Sequence, residues 1–96
     1  MGLLGLFRRK QDNTEAARRA RLLRAGRIAE GTVFDIGTDE QGTLTHVFYS
    51  YEINGVDYES SQTLDEAQAA RPADYAPGAR VTIRFDPRQP ANSVVV

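Results

Sequence analysis

His46 is the only imidazole in this 96-residue chain, so any nucleophilic triad would have to be built on it. No Gly-x-Ser-x-Gly elbow is present to hold a serine at the required sharp turn. One histidine and no cysteine are also too few donors for a zinc site. Glu52, Asp57 and Glu59 are carboxylates close in sequence, of the type that holds a hard cation. They lack the spacing of a calcium loop, so they read as a solvated acidic face. Asp86 precedes Pro87, and its side chain is suited to bonding the backbone ahead and setting an Asx turn. The eight glycines are scattered at turns and do not form a loop that would cradle phosphate. The residues therefore point to no catalytic group, no cofactor, no metal and no small-molecule substrate, and the expectation is a protein that is not an enzyme.

Charge is more informative. Residues 1–27 hold eight Arg or Lys against Asp12 and Glu15, a net of +6. Residues 28–96 hold four Arg against eleven acids, a net of −7, and the two parts add to the chain's −1. A basic arm on an acidic body suggests that the arm meets an anionic surface, or that it folds back on the body itself. The length allows a single core. The absence of cysteine removes disulfides and thiolate chemistry, and leans towards a cytoplasmic setting.

The arm opens MGLLGLFRRK. Leu3, Leu4, Leu6 and Phe7 are followed at once by Arg8, Arg9 and Lys10. The charges trail the apolar stretch, which is not the order of a signal peptide. The stretch is also far short of the roughly 20 residues that cross a bilayer. It suits a surface anchor, with apolar side chains entering the acyl boundary and cations among anionic headgroups. A helix is expected over about 14–25, capped by Asp12, Asn13 or Thr14, with Glu15 in its first turn. Gly26 follows as the expected C′ residue. Ala16, Ala20 and Leu23 share a face, Leu22 lies away from them, and Arg19 and Arg24 flank the stripe. Such a helix has little to bury and reads as a spacer or docking element. Residues 1–26 are thus expected to form a basic arm and residues 27–96 a separate domain.

From residue 27 the apolar period changes to two. Ile28–Ile36 reads as a first strand. Val47, Tyr49, Tyr51 and Ile53 alternate along a second, and Asn54-Gly55 is the strongest short hairpin signal. Val56, Tyr58 and Ser60 return on a third strand. A two-residue turn sets Ile53 against Val56, Tyr51 against Tyr58 and Tyr49 against Ser60, with Glu52 facing Asp57 on the other side. His46 falls on that outer face near Phe48. Thr63 and Glu66 fit a capping box for a helix over 64–70, which Pro72 closes. Pro77-Gly78 marks a turn, Val81, Ile83 and Phe85 alternate on a fourth strand, and Asp86-Pro87-Arg88-Gln89-Pro90 makes a rigid corner. Val94-Val95-Val96 supplies a short fifth strand.

Five strands in about 70 residues expose edges and an apolar face if the sheet stays flat. Curling hides both, so the expectation is a mainly β, partly open five-stranded barrel of the OB or SH3-like kind. The 64–70 helix would plug one end. An open sheet with helices on one face is the alternative.

The run Gly78-x-x-Val81-x-Ile83-x-Phe85-Asp86-Pro87-x-x-Pro90-x-x-Ser93 carries a resemblance, together with Val47-x-Tyr49-x-Tyr51 and Gly55-x-x-Tyr58. So do Leu22-Leu23-Arg24-Ala25-Gly26 and Gly31-Thr32-Val33. Over residues 20–96 the chain resembles a widespread bacterial family of small β domains of unknown function. The resemblance implies a small β domain, often found beside transmembrane helices, and carries no reaction or catalytic residue.

The functional expectation is a non-catalytic interaction or accessory domain. Its basic arm would tether it to an anionic membrane surface or a larger protein assembly, on the cytoplasmic side of the cell membrane. The contact residues would be Leu3, Leu4, Leu6, Phe7, Arg8, Arg9, Lys10, Arg18 and Arg19. The alternative is a nucleic-acid accessory protein that binds through the arm's arginines. That reading has to contend with a body of −7, which repels phosphate.

Overall fold

Asn54 and Gly55 both take positive φ, 53° and 81°, which is the type I′ geometry that matches the twist of paired strands. They join β2 (Leu44–Ile53) to β3 (Val56–Thr63). The register is as expected: Ile53 pairs with Val56, Tyr51 with Tyr58, Tyr49 with Ser60 and Glu52 with Asp57. These features belong to a computed structural model that describes residues 14–96. The hairpin is extended by β1 (Arg27–Thr38), β4 (Arg80–Asp86) and β5 (Gln89–Val95).

The strand order is β3-β2-β1-β4-β5, with every pairing antiparallel. The sheet curls into a nearly closed barrel around Val33, Val47, Tyr49, Ile83 and Val95, all with no exposed surface. No ladder joins β3 to β5 among the described residues. Side chains bridge the seam at one end instead. Gln62 in β3 accepts from the Val95 N–H at 2.7 Å and donates to the Val95 carbonyl at 3.3 Å, as a facing strand residue would. Gln68 donates to the same carbonyl at 3.2 Å.

Strand β1 bulges between Val33 and Asp35, which leaves Phe34 outside the register. Phe34 is therefore turned to the exterior, where its ring lies 6.4 Å from that of Phe48. Two features past β3 differ from the sequence expectation. The helix α2 is shorter, Glu66–Ala69, and its cap is Asp65, with Gln68 completing the capping box in place of Thr63 and Glu66. Thr63 stays in β3 because Leu64 is still tied by its N–H to Thr45. A 3₁₀ turn, Pro72–Tyr75, follows and buries Tyr75 beneath the barrel.

The fifth strand is longer than expected. It begins at Gln89 because Pro87-Arg88 is itself the bend, and the Asp86 carboxylate accepts from Arg88 N–H at 2.8 Å. That is the Asx turn expected of Asp86.

Candidate interaction surface

The helix α1 (Glu15–Ala25) forms where expected, with Thr14 Oγ1 accepting from Ala17 N–H as its cap. Its packing differs from the sequence reading. Leu22, placed away from the apolar stripe, is the buried residue, and Leu23 is exposed. The reason is that α1 does not pack by its own stripe. It packs against β4 and β5, and those strands choose the contact.

Arg18 fixes that contact. Its guanidinium bonds the Asn92 carbonyl oxygen Oδ1 at 2.6 Å and the Ser93 backbone carbonyl at 3.0 Å, while Glu15 one turn earlier holds its other edge. Arg19 reaches the Asp65 carboxylate at 3.2 Å. Arg84 in β4 donates to the Gly26 carbonyl at 3.0 Å, where α1 ends. Gly26 is extended, with φ −73°, and does not adopt the left-handed conformation of a C′ glycine. Glycine is needed there for space: a Cβ would lie 2.6 Å from the Leu22 carbonyl oxygen.

The two arginines proposed as contact residues, Arg18 and Arg19, are thus engaged within the chain, where they hold α1 on the barrel. Leu3, Leu4, Leu6, Phe7, Arg8, Arg9 and Lys10 lie outside the described residues. Beyond Arg18, α1 runs beside the β4–β5 bend and leaves a cleft of about 430 Å³ lined by Arg21, Leu22, Ala25, Asp86, Arg88 and Asn92. Arg24 and Arg27 are exposed at the same end of the helix. Nothing in the sequence pattern announced that Arg18 would bond β5, because its partners lie 74 and 75 residues away.

The groups considered for chemistry are placed as follows. His46 is exposed on the outer face, with Nδ1 at 2.9 Å from Thr45 Oγ1 and Nε2 at 3.1 Å from Thr63 Oγ1. Both ring nitrogens are therefore engaged by threonine hydroxyls. Glu52, Asp57 and Glu59 are exposed. Among the described residues no three His, Cys, Asp or Glu side chains are grouped to hold a metal ion.

The buried polar groups are structural. Tyr49 and Ser93 hydroxyls share a hydrogen bond of 2.7 Å in the interior. Tyr51 donates to the Pro90 carbonyl, and its ring stacks between those of Tyr49 and Tyr58. Burial pushes the Tyr51 hydroxyl above the usual tyrosine range. No buried side-chain nitrogen or oxygen lacks a partner among the described residues. No helix among them is long and apolar enough to cross a membrane.

Comparison with curated proteins and comparison with solved structures each returned no match. A family model does match, over residues 11–96, and it takes in α1 together with the whole barrel. Helix and barrel are thus matched as one unit, and the chain belongs to the family described as domain of unknown function DUF3592.

Proposed function

We propose that this protein is a non-catalytic interaction domain, tethered through its N-terminal arm to a membrane surface or a larger protein assembly. Of these, an anionic membrane suits the arm best. One observation carries the reading: four apolar residues, Leu3, Leu4, Leu6 and Phe7, run directly into Arg8, Arg9 and Lys10. Amphipathic anchors insert the first kind of side chain and neutralise headgroups with the second.

The geometry supports this in one further respect. Arg18 and Arg19 are used to seat α1, so the arm is attached to a helix that is itself held on the barrel. Arg24 and Arg27 continue the basic surface at the other end of that helix. The engagement of Arg18 and Arg19 leaves a polyanion such as nucleic acid fewer cations to bind. In this reading the chain is bacterial, as the resemblance of its C-terminal motif implies. It sits on the cytoplasmic face, where anionic lipid is exposed to it.

Vesicle flotation tests the proposal. The protein is expected to float with phosphatidylglycerol-containing vesicles at low salt, and to stay behind with phosphatidylcholine alone. Each basic residue near such a surface contributes about 1 kcal/mol. Joint replacement of Arg8, Arg9 and Lys10 by Gln is therefore expected to weaken binding roughly a hundredfold. Binding that survives deletion of residues 1–10, or none at low salt, would sink the membrane reading.

A further inference from the structure

We infer that the free edge of β3 is a docking site for an extended cationic peptide segment of a partner protein, added as a further strand. The basis is the hairpin register. Ile53 and Val56 flank a two-residue turn, so they form a pair that exchanges backbone hydrogen bonds. The pairs Tyr51–Tyr58 and Tyr49–Ser60 do the same. The N–H and C=O groups of Asp57, Glu59 and Ser61 therefore point away from β2, toward the seam.

No ladder covers that side among the described residues. Among the described residues, β3 itself is bonded to β5 through Gln62 to Val95, at one end, where Gln68 also reaches Val95, while Tyr49 and Tyr51 of β2 reach β5 through the interior and leave the β3 backbone edge uncovered. Val56, Asp57, Glu59 and Ser61 are all exposed, while Ser60 and the Tyr58 ring are half-buried. Tyr58 stacks on Tyr51 at 5.5 Å, a cross-strand contact that holds β3 against β2 before any partner arrives. A stretch of about five residues is thus pre-organised to accept a strand through its backbone, as other strand-addition sites are.

The charge of the edge selects the occupant. Asp57 and Glu59 stand on the outer face of β3, and Glu52 sits opposite Asp57. Pairing of β3 with β3 of a second copy would set these carboxylates against one another, which opposes self-association. A strand with Lys or Arg at alternate positions places its cations opposite Asp57 and Glu59 and is attracted. The site lies on a different element from the arm and does not depend on what the arm binds.

The test uses the full chain and two synthetic ten-residue probes, one alternating Lys and Val, the other Glu and Val. Amide hydrogen exchange followed by NMR is expected to slow at least tenfold at Asp57, Glu59 and Ser61 with the Lys-Val peptide. The Glu-Val peptide is expected to leave these amides unchanged. Glu59→Pro removes one edge N–H without touching the bonds to β2, and is expected to weaken Lys-Val binding at least tenfold. Unchanged exchange at the three amides, protection by both peptides alike, or full affinity in a folded Glu59→Pro variant would overturn the proposal. Exchange in the unsubstituted protein decides the matter if that variant does not fold.

Discussion

At the scale of single residues, the most demanding positions are those where a polar group sits in the interior or the backbone takes an uncommon conformation. Tyr51 is the clearest case, with a hydroxyl that is buried and bonded to the Pro90 carbonyl. Tyr51→Phe is expected to cost about 1 kcal/mol, the net value of a hydrogen bond, plus whatever the Pro90 carbonyl loses by having no partner. Denaturant titration at neutral pH checks this. The same residue sets an alkaline limit. Burial makes its hydroxyl titrate higher in the folded state than the ordinary tyrosine value of 10.0. Its contribution is therefore complete below that pH and is lost as pH rises through the raised value. The prediction is a stability that declines in this alkaline window, less steeply in Tyr51→Phe. Gly55 makes the second demand. Its φ of 81° is strained for any residue with a Cβ, so Gly55→Ala is expected to destabilise by about 1 kcal/mol, although nothing lies near enough to clash.

At the scale of elements, two joints hold the fold together. The first is α1 on the barrel, through Leu22 and Arg18. A buried leucine replaced by alanine loses about 2–5 kcal/mol. Leu22→Ala is expected near the low end, because a single helix packed outside the main core cluster relaxes more readily than the core itself. Leu23→Ala, on the exposed side, is expected to change stability by less than about 0.5 kcal/mol. The pair separates the observed packing from the one read off the helical stripe, and thermal unfolding of both variants reports it. The second joint is the seam. Gln62→Leu keeps the side chain's bulk but removes both bonds to Val95, and leaves a buried N–H unpaired at a cost of about 1–3 kcal/mol. Faster exchange of the Val95 amide, with the β2–β3 amides unaffected, would localise the effect to β5.

At the scale of the whole molecule, α1 and the barrel share Arg18, Arg19 and Arg84 as cross-links, which predicts one cooperative unit. The far-ultraviolet helix signal and the near-ultraviolet tyrosine signal are expected to melt together. Two separate transitions would show that α1 is an independent arm after all. The charge division is also reshaped by folding. Part of the arm's basic character is spent on Glu15, Asp65 and the β5 carbonyls. The remaining cations lie toward the N-terminal segment and the α1–β1 junction, on different elements from the acidic edge of β3.

What the sequence determined alone was everything set by local geometry. Alternation of period two, an Asn-Gly bend and an Asp-Pro corner specified the hairpin register and the Asx turn, because each depends on neighbours only a few residues apart. The acidic outer face followed from that register. The tertiary structure decided the rest. Leu22 is buried in preference to Leu23, Arg18 bonds β5, and Gln62 and Gln68 bridge the seam, because each partner lies 27 to 75 residues away along the chain. Asp65 displaced Thr63 as helix cap for the same reason, since pairing with β2 carried the strand past Thr63 before the helix could begin. Short-range preference chose the elements, and the packing of distant surfaces chose which of their side chains would be spent on holding them together.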